Sequence, residues 1–178
     1  MAKMSDQERL SLLNQFKILK TLNSDEDYSV EVKVLEEGLE AFYDDILFDG
    51  LNDAIDESKQ EFVSKVLRLY RDAIFSYEKL NDAEKEDTIK NKIQFYGFDL
   101  NDVEQIDYMK VAEFYLYSLD RYKEIRDQIE GRSDDLNSHG FGPSMNTLKK
   151  YISTQDKIRQ EKAASETLSK HELEEIFE

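Results

Sequence analysis

The chain contains no cysteine and no tryptophan, and only one proline, two histidines and six glycines among 178 residues. Without cysteine it can form no disulfide, no thiol nucleophile and no thiolate metal site. No apolar run approaches the length needed to cross a membrane. The first 13 residues mix charged and apolar side chains and resemble neither a signal peptide nor a transit peptide. We therefore predict a cytoplasmic protein with no membrane partner.

Acidic side chains are in large excess, at 40 against 24 basic ones, which gives a formal net charge of −16. A chain with this charge repels the phosphate backbone, so a nucleic-acid partner is disfavoured. The apolar fraction of 39% and the charged fraction of 36% predict a small core under a heavily charged surface. Ten Phe and ten Tyr residues distinguish the chain from a disordered one. Its length fits a single domain over residues 1–178.

Apolar residues recur at three- and four-residue steps along most of the chain, which is the pattern of amphipathic helices. Capping boxes, in which Ser or Asn and a later Glu satisfy each other's free amides, mark four helix starts at Ser5, Ser58, Asn101 and Ser169. Helices are predicted over residues 5–23, from Asp25 or Asp27 through Ile46, and over residues 58–81, 83–96, 101–130, 144–161 and 169–177. No segment resembles a strand, so we predict an all-α fold, a single multihelical array of about six to eight helices.

One long irregular segment interrupts this pattern. Residues 131–143, GRSDDLNSHGFGP, hold three glycines, the only proline and one of the two histidines. Long irregular loops inside helical domains are uncommon, and they are usually functional or disordered. The composition of this loop does not match a disordered segment, so it is the first place to look for a site.

Four short motifs resemble the YfbU family of bacterial proteins. They are R-L-x-L-x-N-Q-F-K at residues 9–17, G-F-D at residues 97–99, H-G-F at residues 139–141 followed by Tyr151, and L-S-x-x-E-L-x-x-I at residues 168–176. The motifs occur in the family's order and cover nearly the whole chain. The resemblance implies an all-α fold in a cytoplasmic protein of undetermined biochemical role. It brings no established catalytic residues.

The loop supports two interpretations of His139. In the first, Asn137 and His139 hydrogen-bond the loop backbone and hold the loop shut, while Ser138, Gly140 and Phe141 shape it. In the second, His139 transfers protons and Arg132 holds phosphate, because the spacing of these two residues is similar to that of HEPN ribonucleases. Gly131 and the neighbouring acids argue against the helix which that motif requires. We favour the structural clasp and keep a metal-independent ribonuclease as the alternative.

Two neutral amides, Asn14 and Gln15, lie on the first predicted helix between Leu13 and Phe16. One interpretation places them against a partner or against the His139 loop. The other has Asn14 cap a neighbouring helix inside the fold, because buried amides must be paired. We favour the second interpretation.

Acidic and aromatic clusters could also form sites. The acidic series runs through Glu36, Glu37, Glu40, Asp44, Asp45, Asp49, Asp53, Asp56 and Glu57. A di-iron bundle needs Glu-x-x-His pairs, and the chain has none, so a solvated face is favoured over a metal site. The tyrosines at positions 108, 115, 117 and 122 have acids among their basic neighbours, which favours packing over base stacking.

The chain carries no Walker A loop, no G-x-S-x-G elbow and no complete G-x-G-x-x-G. We therefore expect no cofactor and no metal, and an enzyme is not the favoured class. The leading hypothesis is a protein-interaction module that forms a homo-oligomer, a dimer or larger, with an unidentified protein as a further partner.

Overall fold

The structure, a computed structural model, describes residues 3–23, 25–48, 54–131, 136–163 and 165–178. Nine α-helices lie within these ranges, together with short 3-10 and π-helical turns and one isolated bridge between two residues. The predicted all-α class is confirmed. The chain divides into two compact units, Met1–Ala54 and Ile55–Glu178. Within the described ranges, no helix is both long and apolar enough to span a membrane.

In the described part of the first unit there are three α-helices. They are α1 (Asp6–Leu22), α2 (Ser29–Glu37) and α3 (Tyr43–Ile46). The predicted capping box at Ser5 is confirmed, because the Ser5 and Glu8 side chains each accept the other's backbone N–H, at 3.3 Å and 2.8 Å. The predicted second helix is too long. It ends at Gly38, whose φ of 65° is the left-handed conformation that terminates helices.

The core of the first unit is small. Its fully buried members are Val34, Leu35 and Tyr43. Leu12, Leu13 and Phe16 of α1 pack against them, as the helical spacing predicts. The apolar spacing continues through Leu19 and Leu22, but these two side chains do not join the core, since they are 41% and 78% exposed.

The second unit is organised around its longest helix. It contains α4 (Glu57–Lys79), α5 (Asp87–Lys92), α6 (Ile106–Glu113), α7 (Lys123–Gly131), α8 (Met145–Gln160) and α9 (Lys170–Ile176). Helix α4 contacts α6, α7, α8 and α9. Its buried stripe includes Val63, Val66, Leu67 and Tyr70, as the spacing predicts.

Two helix starts and one helix length in this unit differ from the prediction. The Asp56 carboxylate caps α4 by accepting the Ser58 N–H at 2.7 Å, so the predicted box at Ser58 is wrong. Asp102 caps the turn after Asn101 in the same way, through the Glu104 N–H at 3.0 Å. Helix α5 has six residues, far fewer than predicted over residues 83–96. Aspartate at these positions reaches the amide two residues ahead, which outcompetes the Ser or Asn box.

The predicted helix over residues 101–130 is broken into several pieces. A 3-10 turn (Val103–Gln105) leads into α6, and a π-helical turn (Phe114–Ser118) follows it. Asp120 and Tyr122 then adopt left-handed backbone, with φ of 50° and 54°, before α7 begins. Left-handed backbone is energetically unfavourable for residues other than glycine. Apolar spacing continues through the break, and for that reason the sequence pattern does not show it.

Helices α8 and α9 agree with the prediction. Ser144 caps α8 through the Thr147 N–H, and the box between Ser169 and Glu172 caps α9. Leu148 and Ile152 of α8 are buried in the core of the second unit.

Candidate functional site

The loop before α8 is joined to the segment before α6 by two backbone hydrogen bonds. The Phe98 N–H donates to the Leu136 carbonyl at 2.9 Å, and the Ser138 N–H donates to the Phe98 carbonyl at 3.0 Å. Gly97 allows this approach, because a Cβ at that position would lie 1.8 Å from the Leu136 carbonyl oxygen. Gly97 has left-handed backbone, with a φ of 85°, but it terminates no helix, because α5 ends at Lys92. Its main role is to let the two segments meet.

The Asn137 side chain holds the centre of the loop. Its Oδ1 accepts the Leu100 N–H at 3.2 Å and the His139 N–H at 3.1 Å. Ser138 is buried, and its carbonyl accepts the Phe141 N–H at 2.8 Å. A single amide oxygen therefore links both segments of the bridge, and the clasp interpretation applies to Asn137.

His139 takes no part in this closure through its ring. Its side chain is exposed, and no hydrogen bond joins the imidazole to the residues that the structure describes. The backbone is left-handed at His139 and Gly140, with φ of 48° and 78°, and it turns Phe141 outward to 85% exposure. Arg132 lies outside the described residues, so the Arg132–His139 pair remains a prediction.

Tyr151, the fourth part of the H-G-F pattern, contacts the C-terminal helix. Its hydroxyl donates to the Phe177 carbonyl at 3.4 Å, and the two ring centroids lie 5.0 Å apart. Burial raises the pKa of the Tyr151 phenol. Tyr151 therefore joins α8 to the end of α9 in the core of the second unit.

Asn14 and Gln15 are both exposed on α1. The structure does not bury Asn14, and the prediction that Asn14 caps a helix inside the fold stays a prediction. The helix turns Leu12, Leu13 and Phe16 inward, and the two amides lie on the opposite side.

The tyrosine and acidic clusters have different outcomes. Tyr108 packs against Phe62 and Phe98, with ring centroids 5.5 Å and 5.6 Å away, which agrees with the packing interpretation. Asp49 and Asp53 of the acidic series lie outside the described residues. Among the described residues, no group of three or more His, Asp or Glu side chains is placed to hold a metal ion.

The structure also contains a cleft that sequence reasoning missed. It has a volume of about 430 Å³ and lies beside the π-helical turn. Its lining residues are Ile55, Gln60, Lys110, Val111, Phe114, Tyr115, Leu119 and Arg121. The only sequence signal was the apolar and aromatic run at residues 114–119, which also fits a continuous amphipathic helix.

The helical architecture and the loop closed by Asn137 define an all-α protein. The chain belongs to the YfbU family, because the YfbU domain matches residues 2–178. It is similar to the UPF0304 protein MJECS11 of Methanocaldococcus jannaschii, with 34% identity over 132 residues, or 74% of this chain and 76% of the relative. No solved structure matches the chain.

Proposed function

We propose that this protein is a self-associating interaction module and that the outer face of α1 forms the contact between two copies. The observation that supports this proposal is an unburied ridge on α1. Leu10, Asn14, Ile18 and Leu22 follow one another at four-residue steps, and the three apolar members are 58%, 56% and 78% exposed. None of the 17 residues of α1 is fully buried.

Ridges at four-residue spacing are the commonest surfaces through which helices pack against each other. Burial of each exposed Leu or Ile side chain would contribute up to about 1.5–3 kcal/mol. Three such side chains per copy, doubled by two-fold symmetry, supply the apolar centre of a small isologous interface. A second copy of the chain is therefore the occupant that this ridge fits.

Asn14 has a specific place in this arrangement. It lies on the ridge between Leu10 and Ile18, one helical turn from each. When two such ridges cross at their middle, the Asn14 amides of the two copies can donate to and accept from each other. A single polar residue on an apolar seam fixes the register of the helices at some cost in stability. Gln15 beside it can add a second amide at the edge of the contact.

Other exposed apolar residues supply a control. Val103 in the second unit is 80% exposed, but it stands on a short 3-10 turn and belongs to no ridge. Single exposed apolar residues are normal on soluble proteins. A charge at Val103 should therefore leave the assembly unchanged, whereas the same charge at Ile18 should disrupt it.

Light scattering coupled to size exclusion tests the proposal across the micromolar range. The unmodified protein should have the mass of a dimer, Ile18→Glu should have the mass of a monomer, and Val103→Glu should remain dimeric. Circular dichroism should be the same for all three proteins. A monomer for the unmodified protein at high micromolar concentration would refute self-association, and a dimeric Ile18→Glu would exclude this face.

A further inference from the structure

We propose that the cleft beside the π-helical turn binds a small amphipathic anion, a medium-chain carboxylate with one negative end and an apolar body. The proposal concerns the second unit only and does not depend on self-association through α1. Three features carry it. These are a partly unfilled apolar wall, two cations that form no ion pair with the described residues, and a strained backbone that aromatic and charged side chains hold in place.

The wall of the cleft is apolar and partly unfilled. Val111 lies almost buried at its base, whereas Phe114 and Leu119 remain 54% and 42% exposed. The π-helical turn places these two side chains on the cleft, because the Leu119 N–H bonds back five residues to the Phe114 carbonyl at 2.9 Å. A volume of about 430 Å³ lies within the range of small-molecule sites.

The charged residues of the cleft are all positive. Lys110 and Arg121 line it, no acidic residue does, and neither cation forms an ion pair with any residue of the described ranges. Two acids next to the cleft residues are engaged elsewhere, since Asp107 pairs with Lys59 at 2.6 Å and Asp120 pairs with Lys123 at 2.7 Å. In a chain with a net charge of −16, a cleft whose charged lining residues are both positive favours an anionic ligand.

The backbone around the cleft is strained and rigidly held. The left-handed Tyr122 has its ring at 6.0 Å from the Tyr115 ring and at 4.4 Å from the Arg71 guanidinium. Arg71 is fixed in turn by Glu124, with its Nε 2.6 Å from the carboxylate. π-Helical turns and strained non-glycine residues occur preferentially at functional sites. These contacts of Tyr122 and Arg71 hold the cleft in its binding shape, which lowers the free-energy cost of binding.

A second basic cleft provides a contrast. It has a volume of about 440 Å³ and is lined by Phe62, Lys65, Lys149, Ile152, Ser153, Asp156, Lys157 and Gln160. It includes one acid, Asp156, and its apolar side chains are only Phe62 and Ile152, whereas Ile55, Val111, Phe114 and Leu119 line the cleft at the π-helical turn. The cleft at the π-helical turn is therefore the better match to an anion with an apolar tail.

Calorimetric titration with decanoate, below the concentration at which it forms micelles, tests the proposal. Decanoate should bind saturably at one site, and the neutral decanol should bind several-fold more weakly. Arg121→Gln and Lys110→Gln should each weaken decanoate binding about three- to tenfold, since each removes one partly solvated ion pair. Lys149→Gln, which makes the same charge change in the second cleft, should leave the affinity unchanged.

Each contrary result overturns the proposal. These are non-saturable binding to the unmodified protein, equal affinity for the Lys110→Gln/Arg121→Gln double variant, and an affinity loss in Lys149→Gln as large as in Arg121→Gln. Sedimentation with vesicles of anionic phospholipid should be the same for the unmodified protein and the double variant. A loss of vesicle binding in the double variant would instead assign these cations to a lipid surface.

The oligomeric state of Arg121→Gln should match that of the unmodified protein. This control separates the cleft from the proposed contact through α1.

Discussion

The Asp72 carboxylate on α4 and the Arg159 guanidinium on α8 form a two-pronged ion pair. Arg159 Nε donates to one carboxylate oxygen at 2.8 Å, and its Nη2 donates to the other. The Gln155 amide donates to the first oxygen as well, at 2.7 Å. Arg159 also reaches the Glu166 carbonyl at 2.6 Å, so this pair fixes α8 and the connection to α9 together.

Removal of one partner of this pair should destabilise the second unit. Asp72→Asn leaves Arg159, whose side chain is only 22% exposed, without its counter-charge. We expect the free energy of unfolding to fall by about 2 kcal/mol, below the cost for a fully buried pair because both groups retain some solvent. Urea denaturation measures the change. Lys149→Gln on the exposed side of α8 should stay within about 0.5 kcal/mol of the unmodified protein.

The double variant Asp72→Asn/Arg159→Gln separates the ion pair from the rest of each side chain. Its destabilisation should be smaller than the sum of the two single variants by at least about 1 kcal/mol. Simple additivity would show that the two side chains act independently and would contradict the pairing.

The lowered pKa of Glu172 predicts that the free energy of unfolding decreases at acidic pH. Burial pushes the pKa of its carboxyl upward, but bonds from the Lys162 ammonium and from the Ser169 N–H and hydroxyl outweigh burial and lower the pKa from 4.5 to about 2. The stabilising contribution is therefore complete above the unfolded pKa and is lost as the pH falls through about 2. The urea midpoint should drop over this window more steeply for the unmodified protein than for Glu172→Gln. Parallel profiles would remove Glu172 as the cause.

Substitution by alanine should destabilise the protein to different extents at two glycines that both have left-handed backbone. Gly97 and Gly140 have φ of 85° and 78°, so alanine at either position pays about 1–2 kcal/mol for left-handed backbone. At Gly140 the nearest atom to the new methyl is 3.5 Å away, whereas at Gly97 the Leu136 carbonyl stands 1.8 Å away. We expect Gly97→Ala to cost more than about 3 kcal/mol in thermal or urea unfolding. Equal losses of unfolding free energy in the two variants would show that the segment around Leu136 can move away from the new methyl group at little cost.

The clasp should depend on Asn137 and not on the His139 ring. Asn137→Ala leaves the Leu100 and His139 amides without their acceptor, which should cost about 2 kcal/mol of unfolding free energy. His139→Asn preserves a residue that tolerates left-handed backbone and should change stability by less than about 0.5 kcal/mol. A larger loss of unfolding free energy for His139→Asn than for Asn137→Ala would show that the histidine side chain, and not Asn137, holds the loop closed.

Local signals in the sequence identified much of the helical framework. Ser5, Ser144 and Ser169 mark their helix starts because a cap depends only on residues a few positions away. Gly38 and the break after Phe114 were missed for the opposite reason. The apolar period continues through both positions, and only packing in three dimensions decides that the chain turns there.

The candidate sites were predicted unevenly. Composition pointed to the loop around His139, but its closure by Asn137 depends on Phe98 and Leu100, which are remote in sequence. The cleft at the π-helical turn brings Ile55 and Gln60 against Lys110 and Arg121. No local sequence pattern predicts that these residues line the same cleft.

The bridge between Phe98 and Asn137 has a consequence for the order in which the molecule folds. The two residues are about 40 positions apart, and ordering the chain between them costs entropy before their hydrogen bonds form. Helices α6 and α7 lie within that interval and can form from local contacts alone, so the bridge closes on structure that already exists. We therefore expect the segment that holds His139 to be among the last to be fixed during folding and among the first to be released when the protein opens.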